Sequence, residues 1–158
     1  MIDQTYETMG YPEMIVSGGK NTKIVAMYAE NLIVKNHAPK GIRNEIEGKK
    51  LVGIKDVFIP DGGQNRLFKP TYLRAFRFIE LIIQTSDEPL ILEKYYHVSC
   101  QAPIEKRALF ETGDSLVNWM MDAGWRTVSI CSQDMLFSDA AYEQISIPEI
   151  HAFTTFLC

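Results

Sequence analysis

The chain has 158 residues, which suits one domain and makes two full domains an unlikely use of its length. Its 46% apolar and 23% charged residues argue against disorder, and a core of ordinary size needs no disulfide staples. A net charge of −4 without any lysine or arginine stripe argues against nucleic acid as a partner, and the densest basic spot, "GKKLVGIK", reads as a solvated turn. Cys100, Cys131 and Cys158 are odd in number and include no C-x-x-C, so neither a disulfide framework nor a zinc site is suggested. His37, His97 and His151 are equally scattered; no metal and no cofactor is expected. The first residues, "MIDQTYETMGYPEM", lack the basic and apolar regions of a signal peptide, which leaves localisation open. No apolar run approaches the roughly 18 residues that span a membrane, so a membrane is not an expected partner.

In chain order, "EMIVSGG" predicts a short strand ending in a Gly-Gly hairpin turn. "TKIVAMYAENLIV" predicts a second, with Ile24, Ala26 and Tyr28 on one face and Val25, Met27 and Ala29 on the other. Both faces are apolar, so that strand is expected to be covered on both sides or to lie centrally in a sheet. "KNHAPKGIRNEIEGKK" reads as a polar loop, "LVGIKDVFI" as a strand and "PDGGQNR" as a turn. The strongest β signal runs from Leu73 to Thr85, dense in aromatic and β-branched residues, with Pro70 marking a break before it. "SDEPL" is a turn and "ILEKYYHVSC" the next strand. Short strands at regular spacing joined by Gly/Pro turns predict a mainly β fold, an antiparallel β-sandwich.

The periodicity then changes. Over "FETGDSLVNWMMDAGWRTVSICSQDM", Thr112 or Asp114 is a natural N-cap. Leu116, Met120, Ala123 and Thr127 share one helical face, with Val117, Met121, Val128 and Cys131 beside them. The spacing predicts one amphipathic C-terminal helix of about four turns. A single helix after a sandwich leaves Trp119, Trp125 or both exposed, in the manner of half a helix–helix interface. The expected organisation is a β-sandwich over 1–111, a linker and helix over 112–144, and an aberrant tail over 145–158.

Catalytic constellations are sparse. Glu45 and Glu47 lie in a loop and read as solvated charges. "SGGK" lacks the spacing of a phosphate-binding loop and runs from strand to strand. In "DMLFSDAAYEQ", Asp134, Asp139 and Glu143 cluster among aromatics beyond the helix, and carboxylates beside apolar rings can act as general acids. Taken bare, that cluster reads more simply as surface charge. Tyr72, Phe76, Phe78, Tyr95 and Tyr96 offer a second reading, a stacking platform for a carbohydrate-binding module, although their dense alternation fits core packing better.

"GYPEMIVSGGKNTKIVAMYAENL", "RNEIEGKK", "IPDGGQNRLFKP", "LRAFRFIELIIQTSDEPL" and "DAGWRTVSICSQDMLFSDAAYEQ", taken together and in order, resemble the bacterial α-L-rhamnosidase-like glycoside hydrolases of family 78, over roughly residues 5 to 144. The resemblance implies a β-sandwich that precedes a large (α/α)6 catalytic barrel, with the helix here as its linker or first helix. It implies rhamnose-containing glycans as substrates of the full-length enzyme, and relatives that are periplasmic or secreted. The family pattern "HETYxDCPYYEQLQYxGDTR" falls on "SQDMLFSDAAYEQ", which puts Glu143 on the general acid. The family's sugar-contacting aspartate falls on Ser138, with Asp139 displaced by one position, and its Cys-Pro-Tyr becomes Asp139, Ala140 and Ala141. The family inverts configuration, which needs an acid and a base about 6.5–9.5 Å apart, and by resemblance the base lies far downstream of Glu143. The expectation is therefore a truncated, inactive piece of such an enzyme, whose uncovered helix could self-associate. The tail adds to this. Codons can be chosen for Pro148 to Ala152 that, shifted by two nucleotides, read Gly-Asp-Thr-Arg, the family's next motif. One nucleotide lost after the Gln144 codon would produce such a tail.

Overall fold

Six strands and one helix make up the described residues, 1–34 and 42–133, of this computed structural model. They are β1 (Ile2–Gly18), β2 (Lys23–Ala29), β3 (Ile54–Phe58), β4 (Arg66–Phe68), β5 (Arg74–Gln84), β6 (Leu90–Ser99) and α1 (Ser115–Cys131). The chain divides into two units, Met1–Ser99 and Cys100–Cys158.

In the first unit every strand belongs to one antiparallel sheet, in the order β3-β2-β5-β1-β4, with β6 also paired to β1. The 17 residues of β1 serve several partners in turn. Its first half pairs with β5, from Ile2↔Ile79 to Gly10↔Arg74, and its second half with β6, from Gly10↔Ser99 to Gly18↔Leu90. Met14, Ile15 and Val16 pair with β4 as well as with β6, so these two strands occupy opposite edges of β1. Where β1 and β6 cross at Gly10, a Cβ would meet the Val98 carbonyl oxygen, and only glycine allows the approach.

The sheet curls until its ends meet. Phe58 of β3 and Phe68 of β4, from opposite ends of the strand order, lie with ring centroids 5.4 Å apart. Met14 and Val16 of β1 form one buried cluster with Ile24 of β2, although β1 and β2 are not paired. Ala26, Tyr28, Phe76 and Ile79 continue this core, and burying each large side chain is worth about 1.5–3 kcal/mol. On the other face Ala29, Leu32, Leu51 and Phe78 form a second cluster. Of the two expectations for β2, its central place in the sheet, between β3 and β5, is observed, with Ile24, Ala26 and Tyr28 buried and Val25 and Met27 only partly so; the mainly antiparallel β fold followed by one helix is observed as well, and the opposed layers are parts of a single curled sheet.

Two local readings are corrected. The first strand begins at Ile2 rather than near Glu13, because residues 2–10 find a partner edge on β5 that their polar composition does not advertise. The Gly18–Gly19 turn is no hairpin, since β5 lies between β1 and β2. Both glycines have positive φ (69° and 62°), and the turn, closed by Thr22 N–H on Gly19 O at 2.9 Å, carries the chain across the core.

In the second unit, residues 100–114 hold no regular element and lead into α1. Asp114 is the N-cap, accepting the Leu116 N–H at 2.8 Å, while the Thr112 hydroxyl donates to the Asp114 carbonyl. At the other end the Ser132 N–H returns to Ser129 O.

Candidate functional site

The residues singled out for chemistry beyond the helix, Asp134, Ser138, Asp139 and Glu143, lie outside the described residues, as do His37 and His151. Among the described residues, no group of three or more His, Cys, Asp or Glu could hold a metal ion. Glu45 and Glu47 are exposed on their loop. His97 stands edge-on to Phe76, 5.8 Å between ring centroids. The "SGGK" turn is no vacant anion cradle: the Lys20 N–H donates to the Glu88 carboxylate at 3.3 Å.

The five aromatics of the stacking-platform reading are not brought together as a surface. Phe76 and Phe78 are fully buried, on opposite faces of β5, and Tyr95 is half-buried. Only Tyr72 and Tyr96 present exposed rings, 54% and 39%. The Tyr96 hydroxyl donates to Glu13 Oε2 at 2.7 Å, across the β6–β1 pair, and Lys69 lies 4.0 Å from Glu13 Oε1. Close contact with the carboxylate raises the Tyr96 phenol above its ordinary value.

The polar side chains that the fold does bring together are two arginines inside the strongest β run, which the sequence reading passed over. An arginine amid aromatic and β-branched neighbours is the signal that could have found them, because such a charge is buried only with a partner. Arg77 stands alone opposite four residues of β1, Gln4 to Glu7, where the β1–β5 register shifts. Its guanidinium donates to Asp3 Oδ1 at 2.8 Å, Asp3 Oδ2 at 3.0 Å and Asn44 Oδ1 at 2.7 Å, and lies 4.7 Å above the Phe78 ring. Asp3 Oδ1 also accepts the Thr5 N–H at 2.8 Å. Arg77's hydrogen bonds hold the Asp3 carboxyl below the usual carboxylate range, against a burial that acts the other way.

Arg74 forms a second two-bond pair, with Asp56 of β3, at 2.6 and 3.0 Å, and donates further to the carbonyls of Tyr72 and Leu73. Asp56 also acts on the neighbouring phenols of Tyr28 and Tyr95, and Arg74 on that of Tyr28. Burial, first of all, raises both: Tyr95 to about 12 and Tyr28 further still. Neither phenol is an acid–base group near neutral pH. Both guanidiniums are spent on internal acceptors, so the first unit's buried charge holds strands together rather than receiving a ligand.

In the second unit α1 presents Leu116, Trp119, Met120 and Met121 to solvent, with Trp119 65% exposed and Trp125 half-buried. Of the apolar positions that the helical spacing groups together, Leu116, Met120 and Met121 are exposed, Val117 and Val128 half-buried and Cys131 buried.

No family model matches the chain, and no curated protein matches it. Among solved structures, the fold is similar to the crystal structure of a family 78 glycoside hydrolase, a rhamnosidase of Bacillus sp. GL1, with a TM-score of 0.71 and 20% identity over 90% of this chain. The chain spans 14% of that protein's length. The curled sheet and its following helix therefore have the fold of one segment of a much larger chain.

Proposed function

We propose that this chain is a segment of an α-L-rhamnosidase-like glycoside hydrolase of family 78: its β domain and the start of the helical part. The observation that carries this reading is the fold shared over 90% of the chain with a rhamnosidase of which it spans 14%. The ordered motifs quoted above support it independently of the fold. On this reading the whole enzyme hydrolyses terminal α-L-rhamnosides with inversion, and a rhamnose-containing glycan is its substrate.

Glu143 is then the counterpart of the general acid, which would protonate the leaving glycosidic oxygen. Asp139 is the displaced counterpart of the sugar-contacting aspartate. Inversion also needs a carboxylate base to activate water on the opposite face of the ring. That base belongs to the part of the enzyme this chain does not correspond to, and an acid without its base and pocket loses essentially all rate enhancement. The 158 residues alone are therefore inactive.

Two measurements test the proposal. The purified chain is expected to release no phenol from an aryl α-L-rhamnoside above the buffer rate; turnover abolished by Glu143→Gln would overturn the inactivity. The genomic DNA beyond the Gln144 codon is expected to encode Gly-Asp-Thr-Arg and further helical sequence in a shifted frame. Finding neither in any frame would remove the explanation of residues 145–158 as out-of-frame translation.

A further inference from the structure

The turn "PDGGQNR" between β3 and β4 holds a reactive pair of residues. Asp61 is the sequence's only aspartate followed by glycine, and no asparagine is followed by one. Its Oδ1 accepts the Gly63 N–H at 2.8 Å, so the side chain folds forward over the Asp61–Gly62 peptide. The ring that this bond closes contains both Asp61 Cγ and Gly62 N, the two atoms that a succinimide joins. Gly62 has a φ of 90° and puts no Cβ beside its nitrogen. Both flanks of the pair are anchored: the Asn21 N–H donates to Pro60 O at 3.0 Å, and the Gly18 N–H to Gly63 O at 3.1 Å. Arg66 opposes the closure. Its Nε donates to Asp61 Oδ1 at 3.0 Å and its Nη2 to Asp61 Oδ2 at 2.8 Å. The guanidinium also fills the space that a Cβ on Gly63 would need. Its hydrogen bonds, and then that of Gly63, hold the Asp61 carboxyl below the usual carboxylate range. Lys20 and Glu88, from the adjoining turns, are the charged residues that flank Gly62.

We propose that Asp61–Gly62 is a site of spontaneous isoaspartate formation and that Arg66 is the residue that restrains it. In the first step the Gly62 nitrogen attacks Asp61 Cγ. The nitrogen gives up its proton, one carboxyl oxygen departs as water, and a five-membered succinimide closes. In the second step water adds to the Asp61 main-chain carbonyl and its bond to the Gly62 nitrogen breaks, which leaves the chain running through Cγ. One water is lost and one regained, and no oxidant or other co-reactant takes part. The first step consumes the neutral acid, because an ionised carboxylate cannot release water. At neutral pH the neutral fraction of a carboxyl falls about tenfold for each unit by which its pKa is lowered. By holding the carboxylate ionised and paired, Arg66 slows the closure that the folded-forward side chain invites. The product carries one more main-chain carbon, inserted in a turn anchored on both sides. The inference stands on the geometry of this turn and is independent of the proposed function.

The test is prolonged incubation of the full chain at neutral pH. Isoaspartate is counted by methylation with an L-isoaspartyl methyltransferase and located with a protease that cuts before aspartate but not before isoaspartate. The wild-type chain is expected to accumulate it at position 61 ahead of every other aspartate. Arg66→Gln should raise that rate several-fold, and Arg66→Lys, which keeps the charge, should raise it less. Asp61→Glu should remove the signal, since a glutamate closes only to a less favourable six-membered ring. The Arg66 side chain is 51% exposed, so Arg66→Gln is expected to keep the circular dichroism of the sheet. If that variant loses it, the wild-type chain and Arg66→Lys decide. Accumulation at Asp61 no faster than at the other aspartates, an Arg66→Gln rate equal to that of the wild type, or an Arg66→Lys rate as high as that of Arg66→Gln would overturn the proposal.

Discussion

Replacing Asp3 with alanine strands a guanidinium that has no exit to water. The Arg77 side chain is 8% exposed and that of Asp3 30%. Breaking a buried ion pair from one side costs about 3–5 kcal/mol, because the remaining charge stays buried and unpaired. Partial access of water at Asp3 and the surviving bond to Asn44 lower that figure, while the lost acceptor for the Thr5 N–H adds to it. We expect Asp3→Ala to cost about 2–3 kcal/mol, which for a unit of roughly 100 residues lowers Tm by about 10–20 °C. Urea unfolding followed by far-UV circular dichroism measures it. The double variant Asp3→Ala/Arg77→Met removes both charges and should recover most of the loss, since an apolar replacement of a whole buried pair is close to neutral. The pH dependence follows from the lowered Asp3 pKa. The unfolded chain takes up this proton first as pH falls, so the pair's contribution is fully present above the unfolded value, about 3.9, and is lost as pH falls through the lower folded value. Asp3→Asn should flatten the acid limb below about pH 4. A single-variant cost within about 0.5 kcal/mol, or a double variant worse than the single, would refute the reasoning.

The remaining predictions concern backbone, cap and surface. Gly53→Ala places a Cβ against the Tyr28 carbonyl oxygen and should cost about 3 kcal/mol or more in the same urea assay. Gly124→Ala, in the open on α1, should instead stabilise the helix by about 0.5–1 kcal/mol, seen as a higher helical melting point. Asp114→Ala removes the acceptor for the Leu116 N–H and should cost the second unit about 1 kcal/mol, with Asp114→Ser restoring most of it. Trp119→Gln, at a 65% exposed position, should leave stability within about 0.5 kcal/mol. The same change should abolish any concentration-dependent rise in mass by sedimentation, if the open face of α1 is where copies meet; a rise that survives it places the contact elsewhere.

Much of the fold can be read from the order of the residues. The alternation of Ile24, Ala26 and Tyr28 against Val25, Met27 and Ala29 announces a strand covered on both sides or central in a sheet, and β2 lies between β3 and β5 with its Ile24, Ala26 and Tyr28 face buried. Thr112 or Asp114 before an amphipathic stretch announces the helix start, and Asp114 is the residue that caps it. Residues 2–10 announce nothing, because Asp3, Gln4, Thr5 and Glu7 break any apolar alternation. Their strand exists because β5 offers an edge and Arg77 offers a charge, and both belong to sequence more than 60 positions away. A periodicity argument sees only neighbours, so a strand held by a distant ion pair is invisible to it.

The same limit explains why the aromatic run misleads about function. Read along the chain, Tyr72, Phe76, Phe78, Tyr95 and Tyr96 look like one stacking surface. Strand alternation alone cannot separate a face turned to water from a face turned to a second layer. The curl of the sheet decides, sending Phe76 into the core shared with Tyr28 and Phe78 under Leu32 and Leu51 on the opposite face. Each arginine in the run is matched by an aspartate from another strand, Asp3 for Arg77 and Asp56 for Arg74, so the polar exceptions are consumed as well. In this sheet the buried aromatics are taken up by packing and the two guanidiniums by pairing between strands.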